Sequence, residues 1–391
     1  MIRAKRVFLI VLDSLGSGNA PDASDFGDEG AFTLKSLYET GCLEIPHLLR
    51  LGLGNVEGLD FLGKIAKPAA SIARLCEASL GKDTTIGHWE LAGHISNAPL
   101  PTFPDGFPSE FLNAFSAAVG RGVLCNRPYS GTAVISDFGE EHIRTGKLIV
   151  YTSADSVFQV AAHTDVVPLS ELYSICEKAR EMLTGELGVG RVIARPFVGS
   201  APDFRRTADR RDFSLQPPCV LLPEAIANAG FSSISIGKIF DIFAGKQFTQ
   251  TIRTHSNDEG MEQTMKIANT DFEGLCFVNL VDFDMIWGHR RDAVGYAEGL
   301  SLFDAWLGRF LDLMRSDDVL MITADHGCDP CFTKTTDHTR ETVPLIVYGK
   351  ALVPTDFKTR KSFSDVGATV ASLLGLSFAC DGTPLTLVSK N

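Results

Sequence analysis

The chain has 391 residues, of which 45% are hydrophobic and 21% charged, and its formal charge is −12. That length is too great for one simple core and fits a two-domain globular protein. The acidic balance excludes nucleic acid and anionic membrane as main partners, although a local basic patch could still bind a phosphorylated metabolite.

No apolar run is long enough to span a membrane. Arg3, Lys5 and Arg6 precede the run Val7 to Leu12, but that run is short, ends at Asp13 and has no small-residue cleavage site behind it. It reads as a buried central strand rather than an export signal. Nine cysteines, an odd number without framework spacing, indicate reduced thiols in a cytoplasm.

Asp13 closes the first strand and is followed by Ser14, Gly16 and Gly18 in a turn. It is either a turn residue or a ligand at a strand end. Short helices are predicted over 33–40 and 46–53, and a strand over 72–76. Gly81-Lys82-Asp83-Thr84-Thr85 then opens a helix. Asp83 or Thr84 can serve there as a cap. Alternatively, a hydroxyl at the positive helix end awaits a phosphate, which backbone N–H groups would receive.

Pro99, Pro101, Pro104 and Pro108 mark a crossing between domains, and Pro217-Pro218 marks the return. Residues 98–216 are therefore predicted as an α+β insert carried on a core built from 1–97 and 217–391. Within the insert, helices are expected near 109–119 and 169–183, and strands near 147–153 and 190–195. Tyr151-Thr152-Ser153-Ala154-Asp155-Ser156 follows the first of these strands. Arg191, Arg195, Arg205, Arg206, Arg210 and Arg211 make a basic patch. Any one of them can be a solvated surface group; together they can clamp phosphate through bidentate pairing.

Beyond the insert, helices are expected over 220–229, 258–270, 293–315 and 364–374. Strands are expected over 233–236, 275–281, 319–323 and 343–348. Lys238, just past one strand end, is a phosphate contact or a surface lysine. Leu300, Phe303, Leu307, Phe310, Leu311 and Met314 recur at helical spacing, as core residues do. Three strand ends then carry acids: Asp13, Asp284 and Asp325. His289 lies five residues past Asp284, His326 adjoins Asp325, and His338 follows twelve residues later. Open α/β sheets place their chemistry at one edge, so these six residues suit two divalent cations with open positions. Such a pair sits about 3.5–4 Å apart and serves in-line displacement of phosphate. Thr84 is the candidate attacking hydroxyl.

Asp13 after a first strand, a Lys-Asp-Thr loop, Asp284 with His289, Asp325-His326 and a distal His338 resemble the alkaline phosphatase superfamily. More narrowly, several long motifs occur in the order seen in the phosphopentomutase family. They are Gly-Lys-Asp-Thr with Gly-His-Trp-Glu, Tyr-Thr-Ser-Ala-Asp-Ser, Arg-Val-Ile-Ala-Arg-Pro-Phe-Val-Gly, Asp-Phe-Asp with Gly-His-Arg-Arg-Asp, and Thr-Asp-His-Thr-Arg-Glu. The resemblance implies an alkaline-phosphatase-like core with a mainly parallel sheet between helices, and an inserted α+β cap. It implies reversible movement of phosphate between C1 and C5 of ribose or 2-deoxyribose, through a phosphothreonine and a bisphosphate. It also implies two manganese ions and a primer such as glucose 1,6-bisphosphate or a pentose bisphosphate. By the same resemblance Asp284, His289 and His338 hold one ion, and Asp13, Asp325 and His326 the other. Thr84 is the phosphorylated residue, with Thr85 the alternative, and Ser153, Asp155, Arg191, Arg206 and Lys238 contact the substrate. The expected partners are small sugar phosphates, with no nucleic acid and no membrane.

The chain departs from the family after Asp325-His326-Gly327, where Cys328-Asp329-Pro330-Cys331 replaces Asn-Asp-Pro. Two incidental thiols fit better than a regulatory disulfide, since no second cysteine pair lies nearby. Three other readings fit the sequence less well. Cofactor-independent phosphoglycerate mutase uses serine where this chain has Thr84. A plain phosphatase does not need the arginine-bearing insert. A pseudoenzyme would not keep all six ligands and the hydroxyl.

Overall fold

The apolar run near the N-terminus forms strand β1, Arg6–Leu12, in the computed structural model, which describes residues 2–153, 155–245, 248–335 and 337–390. Ala154 and Thr336, each inside a motif quoted above, lie outside the described residues. All of β1 is buried, as expected of a mid-sheet parallel strand covered on both faces. Its one charged residue, Arg6, sits at the end remote from Asp13. There Nε and Nη2 each donate to the Asp318 carboxylate at 2.7 Å. Planar guanidinium and carboxylate match in this fork, so the buried charges are compensated.

Seven more strands complete the sheet: β2 (Ser71–Leu75), β3 (Ser232–Ile236), β4 (Gln250–Ile252), β5 (Gly274–Leu280), β6 (Asp318–Thr323), β7 (Val343–Tyr348) and β8 (Asp356–Arg360). Their spatial order is β4-β3-β5-β1-β6-β7-β2-β8. From β4 to β6 all pairings are parallel; β7 is antiparallel to both neighbours, and β2 and β8 are parallel to each other. The consequence lies at the centre of the sheet. β5, β1 and β6 are adjacent and point the same way, with Leu12 opposite Leu280 and Val11 opposite Thr323. The residues that follow these strands therefore emerge together at one edge.

The long helix spans Ala293–Leu313 and buries Leu300, Phe303, Leu307, Phe310 and Leu311, the stripe expected of it. No helix among the described residues is long and apolar enough to cross a membrane.

The chain divides into two compact units, one formed by the segment up to Pro99 with that from Pro217 onward, the other by Leu100–Gln216. In the second unit, strands Val123–Pro128, Leu148–Thr152, Val157–His163 and Arg191–Val198 lie side by side in chain order. The short strands Arg205–Arg206 and Arg211–Ser214 both pair with the last of them. Side chains alternate between faces, as strand geometry requires. Phe158, Val160 and Ala162 meet Phe111, Phe115, Leu172 and Ile175 from helices Ser109–Val119 and Leu169–Met182. Ile149, Tyr151 and Ala161 meet Val134 and Ile135 from helix Ala133–Thr145 on the other face.

Candidate active site

Asp13 directly follows β1 and is fully buried. The turn behind it is tight: Ser14 adopts a left-handed φ of 72°, rare outside glycine. That conformation aims the Ser14 N–H at Asp325 Oδ1, 3.1 Å away. Asp325 and His326 follow β6 with Ala324 between, and both are buried. Gly327 bridges to Thr339, which returns the chain and brings the His338 ring against His326, with centroids 3.8 Å apart and planes 20° from parallel.

The third acid is placed differently from expectation. β5 ends at Leu280, and Asp284 lies past it in a π-helical turn, Phe283–Gly288, capped by His289. Single π turns are frequent at functional sites. Here the wide turn brings Asp284 Oδ2 to 3.4 Å from His289 Nε2 within a five-residue separation.

Among the described residues, two groups of side chains each offer ligand atoms within 4.8 Å of one another: Asp284, His289 and His338, and Asp13, Asp325 and His326. In the first, His338 Nε2 is 3.4 Å from Asp284 Oδ1 and 3.1 Å from His289 Nε2. In the second, His326 Nε2 is 3.4 Å from Asp13 Oδ1 and 3.3 Å from Asp325 Oδ2. The other ring nitrogens have carbonyl partners. Nδ1–H of His326 donates to Gly327 O at 3.1 Å, and Nδ1–H of His338 donates to Lys82 O at 3.0 Å. This sets the tautomer and leaves both Nε2 lone pairs directed at the carboxylates. Asp13 Oδ1, Asp284 Oδ1 and Asp325 Oδ2 are buried and receive no hydrogen bond among the described residues. Orphaned buried oxygens facing imidazole lone pairs are costly unless a cation joins them, so the residues fit divalent metal.

The titration behaviour agrees. Burial, reinforced by the nearby Asp325 and Asp284 charges, holds Asp13 well above the usual carboxylate range. Burial also opposes ionisation of Asp325, but His326 and His88 outweigh it and bring Asp325 down to about 2. For Asp284 burial is again outweighed, by His338, His289 and His326, and its carboxyl is held well below the ordinary value. Burial lowers His326 to about 4, so its ring is neutral near pH 7, as a metal ligand must be.

Thr84 is the first residue of helix Thr84–Leu91. Asp83 caps that helix, accepting from Thr85 N at 2.9 Å and Ile86 N at 3.1 Å. The capping and phosphate-receiving readings of this loop are thus compatible, because they use different residues. Thr84 Oγ1 is 3.1 Å from His326 Nε2 and is partly exposed, whereas Thr85 is buried. Lys82 is paired with Asp28 at 2.8 Å. Lys238 follows β3, and its charge is among those acting on Asp13.

The other sequence-derived contacts, Ser153, Asp155, Arg191 and Arg206, belong to the second compact unit. There Arg191 pairs with Asp155 at 3.8 Å and Asp212 at 3.6 Å, while Arg206 Nε donates to Gly131 O at 3.1 Å. Ser153 follows the strand Leu148–Thr152. The arginine patch is not uniform. Arg210 is forked onto Asp212, with both bonds at 2.7 Å, and Arg211 lies over the Tyr173 and Phe213 rings. These two act in structure. Arg195 is lowered to about 10 by burial and by its neighbours Arg210 and Arg206.

The structure also singles out residues to which the motifs alone assign no role. Tyr151 is 1% exposed, and the Arg195, Arg206 and Arg210 charges act on its hydroxyl. Arg340 is buried; it donates to Gly81 O at 2.6 Å, to Glu77 O at 2.9 Å and to Asp22, tying the loop before Thr84 to the segment that carries His338. His88 and Asn279 lie behind Asp325 and Asp13. Gly-His in the quoted Gly-His-Trp-Glu motif was the available signal for His88; Asn279, inside an apolar strand, was a second. Cys328 is buried and Cys331 exposed, and both thiols are free.

Comparison with known proteins places the chain in a family. The metalloenzyme superfamily model matches residues 5–378. A phosphopentomutase of Lachnoclostridium phytofermentans is 57% identical over 368 residues, covering 94% of each chain. One of Carboxydothermus hydrogenoformans is 50% identical over 374 residues, covering 95% of this chain and 96% of its own. Among solved structures, phosphoglycerate mutase of Leishmania mexicana at low cobalt concentration aligns with a TM-score of 0.54 at 14% identity, covering 100% of this chain and 98% of its own; that likeness concerns the fold alone. The chain belongs to the phosphopentomutases, metal-dependent phosphomutases with the alkaline-phosphatase-like core of the metalloenzyme superfamily.

Proposed function

We propose that the protein interconverts α-D-ribose 1-phosphate and D-ribose 5-phosphate, and the corresponding 2-deoxyribose phosphates, in nucleoside salvage and pentose phosphate metabolism in the cytoplasm. The reading rests above all on one observation: the Thr84 hydroxyl stands 3.1 Å from His326 Nε2, beside the two ligand groups. Asp284, His289 and His338 hold one divalent cation, and Asp13, Asp325 and His326 hold the other. Both are manganese in the working enzyme. When bound, the cations supply electrostatic stabilisation to the transferring phosphoryl group.

Thr84 carries the phosphoryl group between substrates. The free hydroxyl of a pentose monophosphate attacks phosphorus, the bond to Thr84 Oγ1 breaks, and a pentose bisphosphate results. Return of the other phosphoryl group to Thr84 completes the exchange. A sugar bisphosphate, such as glucose 1,6-bisphosphate, primes Thr84 at the outset. The helix beginning at Thr84 presents its amide end to the phosphate oxygens. Lys238, Arg191, Arg206, Ser153 and Asp155 bind and orient the sugar phosphate.

The test is direct. Purified protein with manganese, the bisphosphate primer and ribose 1-phosphate is followed by phosphorus NMR. Ribose 5-phosphate is the expected product; free phosphate alone would identify a phosphatase and refute the reading. Intact mass should rise by one phosphoryl group after priming, and Thr84→Ala should abolish the rise. Normal turnover by that variant would remove Thr84 from the mechanism.

A further inference from the structure

His88 is fully buried, one turn along the helix that starts at Thr84, yet it touches both the nucleophile's backbone and a metal group. Its Nδ1 is 2.8 Å from Thr84 O and 3.1 Å from Asp325 Oδ2. Both neighbours are acceptors, so Nδ1 carries the proton. That proton is directed at the carbonyl, while the Asp325 oxygen lies to one side and keeps its lone pairs. Nε2 then has its lone pair free, and Asn279 Nδ2 lies 3.3 Å from it. The same amide nitrogen donates to Asp13 Oδ2 at 2.9 Å. With two hydrogens, Asn279 serves His88 and Asp13 together; the flipped amide would set an oxygen against a carboxylate.

These contacts form one buried chain, Asp13–Asn279–His88–Thr84 O, with Asp325 alongside. It runs from β1 through β5 to the helix that carries Thr84. We infer that His88 is a positioning residue: it couples the Thr84 end of its helix to the Asp13 and Asp325 carboxylates, so that loading of that metal group and the reactivity of Thr84 depend on one imidazole. His88 offers no atom to either ligand group and contacts neither Thr84 Oγ1 nor any atom that reacts. Hence it acts through others, as outer residues of metal sites commonly do. The inference rests on the assignment of Thr84 and of the Asp13 group made above.

Two amides of different reach make the test. The side-chain nitrogen of asparagine can superpose on imidazole Nδ1, whereas that of glutamine superposes on Nε2. In His88→Asn the bond to Thr84 O survives; in His88→Gln it is lost. Manganese affinity of the full chain is measured by calorimetric titration, and phosphorylation of Thr84 by intact mass over time with glucose 1,6-bisphosphate. His88→Gln should weaken manganese binding at one of two sites about 10- to 100-fold. At saturating manganese it should slow phosphorylation of Thr84 on the order of 100-fold, the cost of a small misplacement of a reacting group. KM for ribose 1-phosphate should stay unchanged. His88→Asn should recover most of both losses. Melting of the metal-free variants should not follow this order, because either amide fills the space. Equal behaviour of the two variants, or wild-type phosphorylation in His88→Gln, would overturn the inference. If wild type itself takes up no phosphoryl group, or Thr84→Ala still takes one up, the site assignment has failed, and the role of His88 with it.

Discussion

Gly87→Ala separates local propensity from site geometry. Alanine is the better helix former by about 1 kcal/mol, and Gly87 lies inside helix Thr84–Leu91, so an ordinary helix would gain stability from the change. At this position a Cβ would stand 2.1 Å from the Asp325 carbonyl oxygen and 2.9 Å from its carbon. That is more than an ångström inside normal contact, and the obstacle is backbone at the end of β6, which cannot rotate away. The helix must therefore back off by roughly 1 Å, with Thr84 three residues away on it. Overpacking of this kind costs about 1–3 kcal/mol, enough to reverse the propensity gain. A displacement of about 1 Å between a nucleophile and its partners costs on the order of 100-fold in rate. Mutase turnover with manganese, phosphorylation of Thr84 by intact mass, and thermal melting of the metal-free chain together measure the effect. Gly87→Ala should melt lower and phosphorylate about 100-fold more slowly. A variant that melts higher and phosphorylates normally would refute the claim that helix and strand end are in direct, rate-determining contact.

Three further outcomes are expected. Asp13→Asn should lose one of two bound metal ions in native mass spectrometry. The same change should raise the stability of the metal-free protein, because it removes an ionisable group whose charge is opposed by burial, Asp325 and Asp284. His326 is lowered by burial from 6.5 to about 4, so between those values the unfolded chain binds the extra proton. Its contribution is complete above pH 6.5 and is lost as pH falls to about 4, amounting to roughly 3 kcal/mol. The difference in denaturant stability between wild type and His326→Gln across that window isolates it, and a difference independent of pH would contradict it. Cys328 is buried, and burial together with Asp284 pushes its thiol well above the ordinary range. Peroxide should therefore inactivate wild type and Cys328→Ser equally; protection of the serine variant would instead establish oxidation near the metal ligands as a control point.

The core was legible because its signals are local and repeated. β1, β5 and β6 are mostly apolar runs with acids within a few residues of their ends, and the long helix carries its stripe at regular spacing, so both type and approximate position can be read. The second unit was read only in part. Strand Val123–Pro128 contains Cys125 and Asn126 at positive φ and ends in proline, so it shows neither alternation nor a clean boundary. Strand Val157–His163 is buried on both faces, and its Gln159, paired with Arg195, breaks the apolar run that would have revealed it. Helix Ala133–Thr145 buries few residues and is polar over most of its length.

The site divides along the same physical line. Metal ligands can be read from sequence because aspartate and histidine at strand ends are chemically conspicuous. The residues that orient them are not. Asn279 occupies a strand position where a polar side chain looks like an interruption, and Gly87 looks like a defect in a helix. Each makes sense only once β1, β5, β6 and the Thr84 helix are brought within hydrogen-bond or contact distance. A buried polar group in a strand must find its partner across the fold, and a helical glycine must answer to whatever presses on it. Both requirements are met here at Asp13 and Asp325, where the Thr84 helix meets the strand ends. The sequence features that weaken a strand and a helix taken singly are those that allow the two elements to approach closely enough for one hydroxyl to stand beside two metal groups.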